Sequence, residues 1–163
     1  MKILTIYYSL DGSTKLVAEA LSNSVGADLL PLALREGNVK AQGFGKYFWG
    51  GKQVLFKERP ELLPFGKDPS AYDVIFIGTP VWAGNYAPAI RSFFDRCKFS
   101  GKSVALFCTH EGGAEKTFEN MREALSGNSF AGQMDFANVK KDPSRAAAKA
   151  AEWAKETVDK LQN

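Results

Sequence analysis

The first 25 residues contain the pattern that most constrains the fold of this chain. Residues 2–8 form an apolar, largely β-branched and aromatic run, which gives way abruptly to a polar, glycine-containing stretch from Ser9 to Thr14. Apolar residues then recur with helical spacing at Leu16, Val17, Ala20, Leu21 and Val25. A buried strand, a tight turn and an amphipathic helix in this order are typical of the opening of a parallel α/β fold.

The turn between this strand and this helix has the composition of an anion site. Unpaired N–H groups and the positive end of the helix dipole converge at a helix amino terminus, so an anion, most often a phosphate, is favoured there. Ser9, Ser13 and Thr14 add three hydroxyl groups, and Gly12 allows close backbone approach. The same hydroxyls also suit a helix cap, so the residues alone leave both interpretations open.

The rest of the chain alternates strands and helices without repeats. Apolar runs predict strands at 27–34, 73–79, 102–109 and 133–137. Helices are predicted at 88–97, at 115–125 and from Pro143 onward, with Asp142 as the N-cap of the last one. Pro31 favours an edge position for the second strand. The whole chain, residues 1–163, is therefore predicted to form one domain with a doubly wound α/β sheet of five parallel strands.

The first turn resembles the phosphate loop of the flavodoxins, usually Ser/Thr-x-Thr-Gly-x-Thr, which holds the phosphate of FMN. Ser9, Gly12 and Thr14 match this pattern, whereas Asp11 replaces the usual threonine and brings a carboxylate near a dianion. The resemblance covers nearly the whole chain and implies the strand order 2-1-3-4-5, with a long insertion after strand two. It also implies FMN as the cofactor, with its phosphate held by Ser9, Gly12, Ser13 and Thr14 and assisted by Lys15. Asp11 belongs to the same cofactor-binding loop.

A second loop follows the third strand and has the pattern Thr-Pro-x-Trp-x-Gly, which is similar to the isoalloxazine-contacting loop of flavodoxin-like proteins. The resemblance implies that Trp82 stacks on the flavin, since an indole pairs well with a flat π system. The flavin contacts implied for this loop are Thr79, Pro80, Val81, Trp82, Ala83, Gly84 and Asn85, with Gly84 and Asn85 near flavin N5 and Tyr86 flanking the ring. The alternative is that Trp82 packs into the hydrophobic core and anchors the loop there.

A third loop follows the fourth strand, and the resemblance implies that it lines the pyrimidine edge of the flavin. Its residues are Thr109, His110, Glu111, Gly112 and Gly113. His110, the only histidine, has the chemistry of a proton donor to a flavin or quinone. A surface histidine without catalytic duty is the alternative, and no catalytic residue is assigned.

The connection from residue 35 to residue 70 is too long for an ordinary loop. Residues 35–67 contain seven basic and three acidic side chains, whereas the rest of the chain is nearly balanced. Residues 43–57 are rich in aromatics and lysines and predict a helix that either covers the sheet or forms a basic flap near the ligand. Flavodoxins that shuttle electrons are commonly acidic, so this segment bears on the choice of partner.

Other functional classes are disfavoured by the residues. Gly101-Lys102-Ser103 lacks the first glycine of a P-loop and precedes a strand, and no Gly-x-Gly-x-x-Gly follows the first strand. Gly-x-Ser-x-Gly, the nucleophile elbow of serine hydrolases, is absent. Asp73 begins its strand, whereas a response-regulator phosphoacceptor ends one. Cys97 and Cys108 have no metal-like spacing with His110, so no metal is predicted.

Two functions in different classes follow from the resemblance. One is a flavodoxin-type carrier that passes electrons between protein partners through the isoalloxazine, and the other is an NAD(P)H-dependent flavin or quinone reductase. The expected partners are a redox protein or a small-molecule acceptor, with NAD(P)H in the second case, and neither nucleic acid nor a membrane span is expected. Reduced cysteines and the absence of a signal-peptide pattern predict a cytoplasmic protein.

Overall fold

The computed structural model describes residues 1–35 and 59–163. In this part of the chain the strands are β1 (Ile3–Tyr7), β2 (Asp28–Pro31), β3 (Val74–Trp82), β4 (Asn85–Tyr86), β5 (Ser103–His110) and β6 (Ser129–Ala137). The α-helices are α1 (Ser13–Val25), α2 (Pro88–Arg96), α3 (Thr117–Ala124) and α4 (Pro143–Gln162). Short 3-10 turns lie at Pro69–Ala71 and Val139–Lys141. The helix predicted within residues 43–57 lies outside the described residues.

Five of the strands form a parallel sheet in the order β2-β1-β3-β5-β6. This is the predicted order 2-1-3-4-5 once the two-residue strand β4 is numbered, because β4 pairs only with β3, in antiparallel orientation. The sequence did not predict β4. The loop predicted after the strand at 73–79 is instead a β-hairpin, because β3 extends to Trp82 and then pairs with β4.

Both faces of the sheet are covered by helices, which is why β1 is buried along its entire length. On one face, Leu4 and Ile6 pack with the apolar residues of α2 and α3. On the other face, Ile3 and Tyr7 pack with the apolar residues of α1 and α4. The alternation of side chains along β1 therefore supplies both hydrophobic layers of a doubly wound fold.

The two edge strands also differ from their predicted bounds. β2 is shorter than predicted and ends at Pro31, which has no N–H to offer a sheet ladder. β6 is longer than predicted, because residues 129–132 also contribute to the pairing with β5, through an irregularity next to Val104 and Ala105. Only Phe136 of β6 is fully buried, so the apolar pattern of this strand is weak. The predicted cap is confirmed, since the Asp142 carboxylate accepts a hydrogen bond from the Arg145 N–H at the start of α4.

Candidate functional site

The carboxyl ends of β1, β3 and β5 border a cleft that is partly open to solvent. Parallel strands end at the same edge of the sheet, so their following loops meet there. The cleft lies beside the point between β1 and β3 where the strand order reverses. Its lining consists of Leu10, Asp11, Ser13, Pro80, Val81, Trp82, Thr109, His110, Glu111, Val139 and Lys140.

The loop after β1 wraps tightly around the amino terminus of α1. Gly12 has φ 96°, a left-handed conformation that favours glycine, and its N–H donates to the Ser9 hydroxyl at 3.2 Å. The Ser13 N–H donates to Oδ1 of Asp11 at 3.1 Å. The N–H groups of Gly12 and Ser13, at the start of α1, thus already donate hydrogen bonds to side chains of the same loop.

Asp11 also pairs with a basic residue from another strand end. The Lys140 ammonium lies 3.1 Å from Oδ2 of Asp11, whose side chain is 29% exposed. Partial burial opposes ionisation of Asp11, but the hydrogen bond from Ser13 and the charge of Lys140 outweigh it and hold the pKa of this carboxyl below its usual value. The carboxylate therefore stays ionised beside the helix start at neutral pH.

Thr14 does not face the cleft. Its side chain is 1% exposed, and its hydroxyl lies 2.8 Å from the hydroxyl of Thr109 at the end of β5. This bond ties the first loop to the third. The predicted role of Thr14 at a phosphate remains a prediction, whereas its bond to Thr109 shows a structural role.

The hairpin after β3 turns at Ala83 and Gly84, which both have positive φ (49° and 72°), as in the type I′ turns that suit the twist of paired strands. The Lys116 N–H donates a hydrogen bond to the Gly84 carbonyl, which attaches the tip of the hairpin to the start of α3. At its base, the Thr79 hydroxyl accepts a hydrogen bond from the Ala87 N–H. Together these bonds fix the hairpin as one wall of the cleft.

Trp82 lines the cleft but belongs to the hydrophobic core. Its side chain is 8% exposed and meets the ring of Tyr8 edge to face, with 5.8 Å between centroids and 86° between planes. Tyr8 is itself 5% exposed, and this burial raises the pKa of its hydroxyl to about 12. Trp82 therefore packs in the core, which was the alternative interpretation of the sequence. A flavin ring stacked on Trp82 would contact only the small exposed part of the indole.

The His110 ring is held by both of its nitrogen atoms. Nδ1 accepts the Gly113 N–H at 2.8 Å, and Nε2 lies 2.8 Å from Oδ2 of Asp135 on β6. Because Nδ1 is an acceptor, the neutral ring carries its proton on Nε2 and donates it to the carboxylate. His110 thereby fixes the backbone of the third loop, where Gly113 has φ 130°.

Eight of the predicted site residues line the cleft together: Asp11, Ser13, Pro80, Val81, Trp82, Thr109, His110 and Glu111. The other predicted residues are also in the described ranges but lie outside this lining: Ser9, Gly12, Thr14, Lys15, Thr79, Ala83, Gly84, Asn85, Tyr86, Gly112 and Gly113. Sequence reasoning missed Leu10, Val139 and Lys140. Val139 and Lys140 follow β6, so extending the strand-end argument to the last strand would have found them.

Within residues 1–35 and 59–163, no group of three or more His, Cys, Asp or Glu side chains is arranged to hold a metal ion. No helix of these two ranges combines the length and the apolar character that a bilayer crossing requires. Cys108 is buried in β5, and burial raises the pKa of its thiol to about 12, so it lacks the thiolate character of a reactive cysteine.

The sequence model of a family described as Flavodoxin matches residues 2–153. The chain belongs to the flavodoxin family. The resemblance noted at the phosphate loop is thereby confirmed, and so is the flavodoxin-like α/β sheet that it implied.

Solved structures of similar fold include flavoprotein structures from Lactobacillus acidophilus NCFM and a flavodoxin from Bacillus cereus. A flavoprotein from Lactobacillus acidophilus NCFM in complex with FMN is 29% identical, with a TM-score of 0.73 over 82% of this chain and 92% of that one. The apo form of the flavoprotein from Lactobacillus acidophilus NCFM is 28% identical, with a TM-score of 0.66 over 86% and 95% of the two chains. Oxidised flavodoxin 2 from Bacillus cereus is 20% identical, with a TM-score of 0.60 over 98% and 99%, which shows a shared fold.

Proposed function

We propose that this flavodoxin-family protein binds FMN in the cleft and transfers electrons through the isoalloxazine. The observation that carries the proposal is that the carboxyl ends of β3 and β5 and the segments that follow β1, β5 and β6 meet around one cleft, beside the reversal of strand order. Open α/β sheets bind their ligands at this position. The similarity to the Lactobacillus acidophilus flavoprotein in complex with FMN supports the choice of ligand.

The donor set of the cleft suits a flavin mononucleotide at both ends of the molecule. Leu10, Pro80, Val81 and Trp82 offer an apolar wall for a flat ring. Ser13, the start of α1 and Lys140 offer hydrogen bonds and positive charge for a phosphate. Asp11 is the one lining residue of the first loop whose charge opposes a phosphate.

A bound flavin would supply the redox chemistry, because it accepts and returns one or two electrons. The protein would orient the ring and hold the loops around it. His110 acts as a positioning residue in this proposal, since its two hydrogen bonds fix the third loop between Gly113 and Asp135. The hairpin of β3 and β4, with its contact to α3, fixes the wall formed by Pro80, Val81 and Trp82.

The second candidate is an NAD(P)H-dependent flavin or quinone reductase of the same fold. The observation that favours it is the basic turn after β6, where Lys140 borders the cleft and Lys141 is exposed. Such a rim attracts anionic nucleotides, and the attraction weakens as salt is added. The basic residues of the predicted flap at 43–57 lie outside the described residues and add no structural support.

The first experiment is a titration of flavin-free protein with FMN, followed by flavin fluorescence and visible absorbance. We expect saturable one-to-one binding and a perturbed flavin spectrum. Ser13→Ala is expected to weaken FMN binding, whereas Ser144→Ala, which removes an exposed serine at the start of α4, is the matched control. Absence of FMN binding to the folded parent protein would overturn the proposed function.

Anaerobic reduction of the FMN-loaded protein then separates the two candidates. A carrier is expected to pass through two resolved one-electron steps, seen as distinct visible spectra, with little oxidation of NAD(P)H when a quinone is present. A reductase is expected to be reduced in a single two-electron step and to oxidise NAD(P)H at a rate that depends on the quinone. Rapid NAD(P)H oxidation with a single reduction step would replace the carrier assignment with the reductase.

A further inference from the structure

Asp11 occupies the place that an anion takes at the start of a helix. Its Oδ1 accepts the Ser13 N–H at 3.1 Å, and its Oδ2 lies 3.1 Å from the Lys140 ammonium. A carboxylate in this position is stabilised by the same N–H groups and helix dipole that would stabilise a phosphate. The two groups also carry charge of the same sign, so they cannot share these donors without repulsion.

Lys140 is held at the cleft by the backbone of the turn that follows β6. Asn138 has φ 51°, and its N–H donates to the His110 carbonyl at 2.8 Å, while the Lys141 N–H donates to the Asn138 carbonyl at 2.9 Å. Val139 is 4% exposed and anchors the turn in the core. The Lys140 side chain is 57% exposed, so its ammonium can reach a different anion without a change in this backbone.

We propose that Asp11 is an internal anion that competes with the phosphate of FMN for the Ser13 N–H and for Lys140. Binding of the phosphate requires the carboxylate to leave the helix start and Lys140 to change partner. Asp11 is thus a specificity-determining residue that reduces the preference of the cleft for FMN over riboflavin, which lacks the phosphate. This inference rests on the proposed function and concerns only the phosphate end of the ligand.

The test compares dissociation constants for FMN and for riboflavin, measured by fluorescence titration at constant ionic strength. Asp11→Asn keeps the size of the side chain and an acceptor for Ser13 but removes the charge. It is expected to tighten FMN binding by about tenfold and to change riboflavin binding by less than about twofold. Asp159→Asn makes the same change of net charge at an exposed position of α4 and is the matched control.

A double-mutant cycle with Lys140→Gln tests whether the two residues act together. When FMN binds to the parent protein, Lys140 gains an ion pair with the phosphate but loses its ion pair with Asp11. In Asp11→Asn, Lys140 gains the ion pair with the phosphate and has no carboxylate to lose. Lys140→Gln is therefore expected to weaken FMN binding by a larger factor in the Asp11→Asn background than in the parent. Riboflavin binding is expected to be insensitive to Lys140→Gln in both backgrounds.

The outcomes distinguish this inference from the function on which it rests. Equal FMN-to-riboflavin affinity ratios in the parent and in Asp11→Asn would overturn the role of Asp11 and leave FMN binding intact. Equal effects of Lys140→Gln in both backgrounds would overturn the exchange of partners. Failure of the parent protein and of every variant to bind either flavin, with folding verified by urea denaturation, would overturn both the proposed function and the inference.

Discussion

The hydroxyl groups of Thr14 and Thr109 lie 2.8 Å apart in the interior, joining the first turn of α1 to the end of β5. Their side chains are 1% and 4% exposed, so neither hydroxyl has ready access to bulk water. The bond links the first and third loops of the cleft. Loss of one hydroxyl would leave the other in a buried site without this partner.

Thr14→Val is expected to lower the free energy of unfolding by about 1–3 kcal/mol, because it leaves the Thr109 hydroxyl without its partner. The double variant Thr14→Val/Thr109→Val is expected to lose less than the sum of the two single variants. Urea denaturation of the flavin-free protein measures these quantities, with Thr14→Ser as the control that keeps the hydroxyl. A normal stability of Thr14→Val together with weaker FMN binding would instead assign the hydroxyl to the phosphate.

Trp82 is expected to contribute to stability even without a ligand. Trp82→Ala removes a side chain that is 8% exposed and its edge-to-face contact with Tyr8, so we expect a loss of about 3–5 kcal/mol in unfolding free energy. Trp82→Phe keeps an aromatic ring and is expected to lose less. Urea denaturation measures stability and an FMN titration measures binding. Unchanged stability of Trp82→Ala would mean that the indole is not part of the core in solution.

A side chain at Gly78 is expected to destabilise the protein while Phe107 is present. The two residues are directly paired between β3 and β5, and a methyl group at Gly78 would overlap the Phe107 ring. Gly78→Ala is therefore expected to destabilise the protein by about 1–3 kcal/mol. Adding Phe107→Leu to Gly78→Ala is expected to cost less than the sum of the two single changes, which thermal or urea unfolding can test. Strict additivity would show that the ring is not what excludes a side chain at Gly78.

The Asp135 carboxylate is expected to give the protein a stability that disappears in acid. The hydrogen bond from His110, aided by the charge of Lys149, lowers the pKa of Asp135 below its ordinary value of 3.8. A carboxyl with a lowered folded-state pKa stabilises the fold above the ordinary value, and this contribution is lost as the pH falls through the lower one. The stability difference between the parent and Asp135→Asn is therefore expected to be present at pH 7 and to shrink below about pH 3.8.

Urea denaturation at a series of pH values measures this difference, and nitrogen-15 NMR of the His110 ring checks its cause. The neutral ring is expected to carry its proton on Nε2, because the Gly113 N–H donates to Nδ1. A proton found on Nδ1 would contradict this hydrogen bond. A stability difference that stayed constant down to the lowest pH would contradict the assigned role of the Asp135 charge.

The sequence by itself determined the alternation of elements and the positions of the three main loops. Residues 2–8 are apolar enough to form a strand that is buried on both faces of a sheet. The helical spacing of apolar residues after Gly12 then predicts a helix directly after the turn. Such patterns are local, so they can be recognised in one sequence. They were weakest at β6, whose side chains are mostly exposed or half-buried, and this strand was accordingly predicted too short.

The tertiary structure decided which side chains face the cleft and which are buried in contacts with other parts of the protein. Thr14 and Trp82 both stand at positions where the loop motifs predict contacts with a flavin. In the structure, however, Thr14 is hydrogen-bonded to Thr109 and Trp82 packs on Tyr8. Lys140 entered the site only because the turn after β6 brings it to Asp11, far away in sequence. These outcomes depend on contacts between distant segments, and residue periodicity carries no information about which distant partner a side chain will meet.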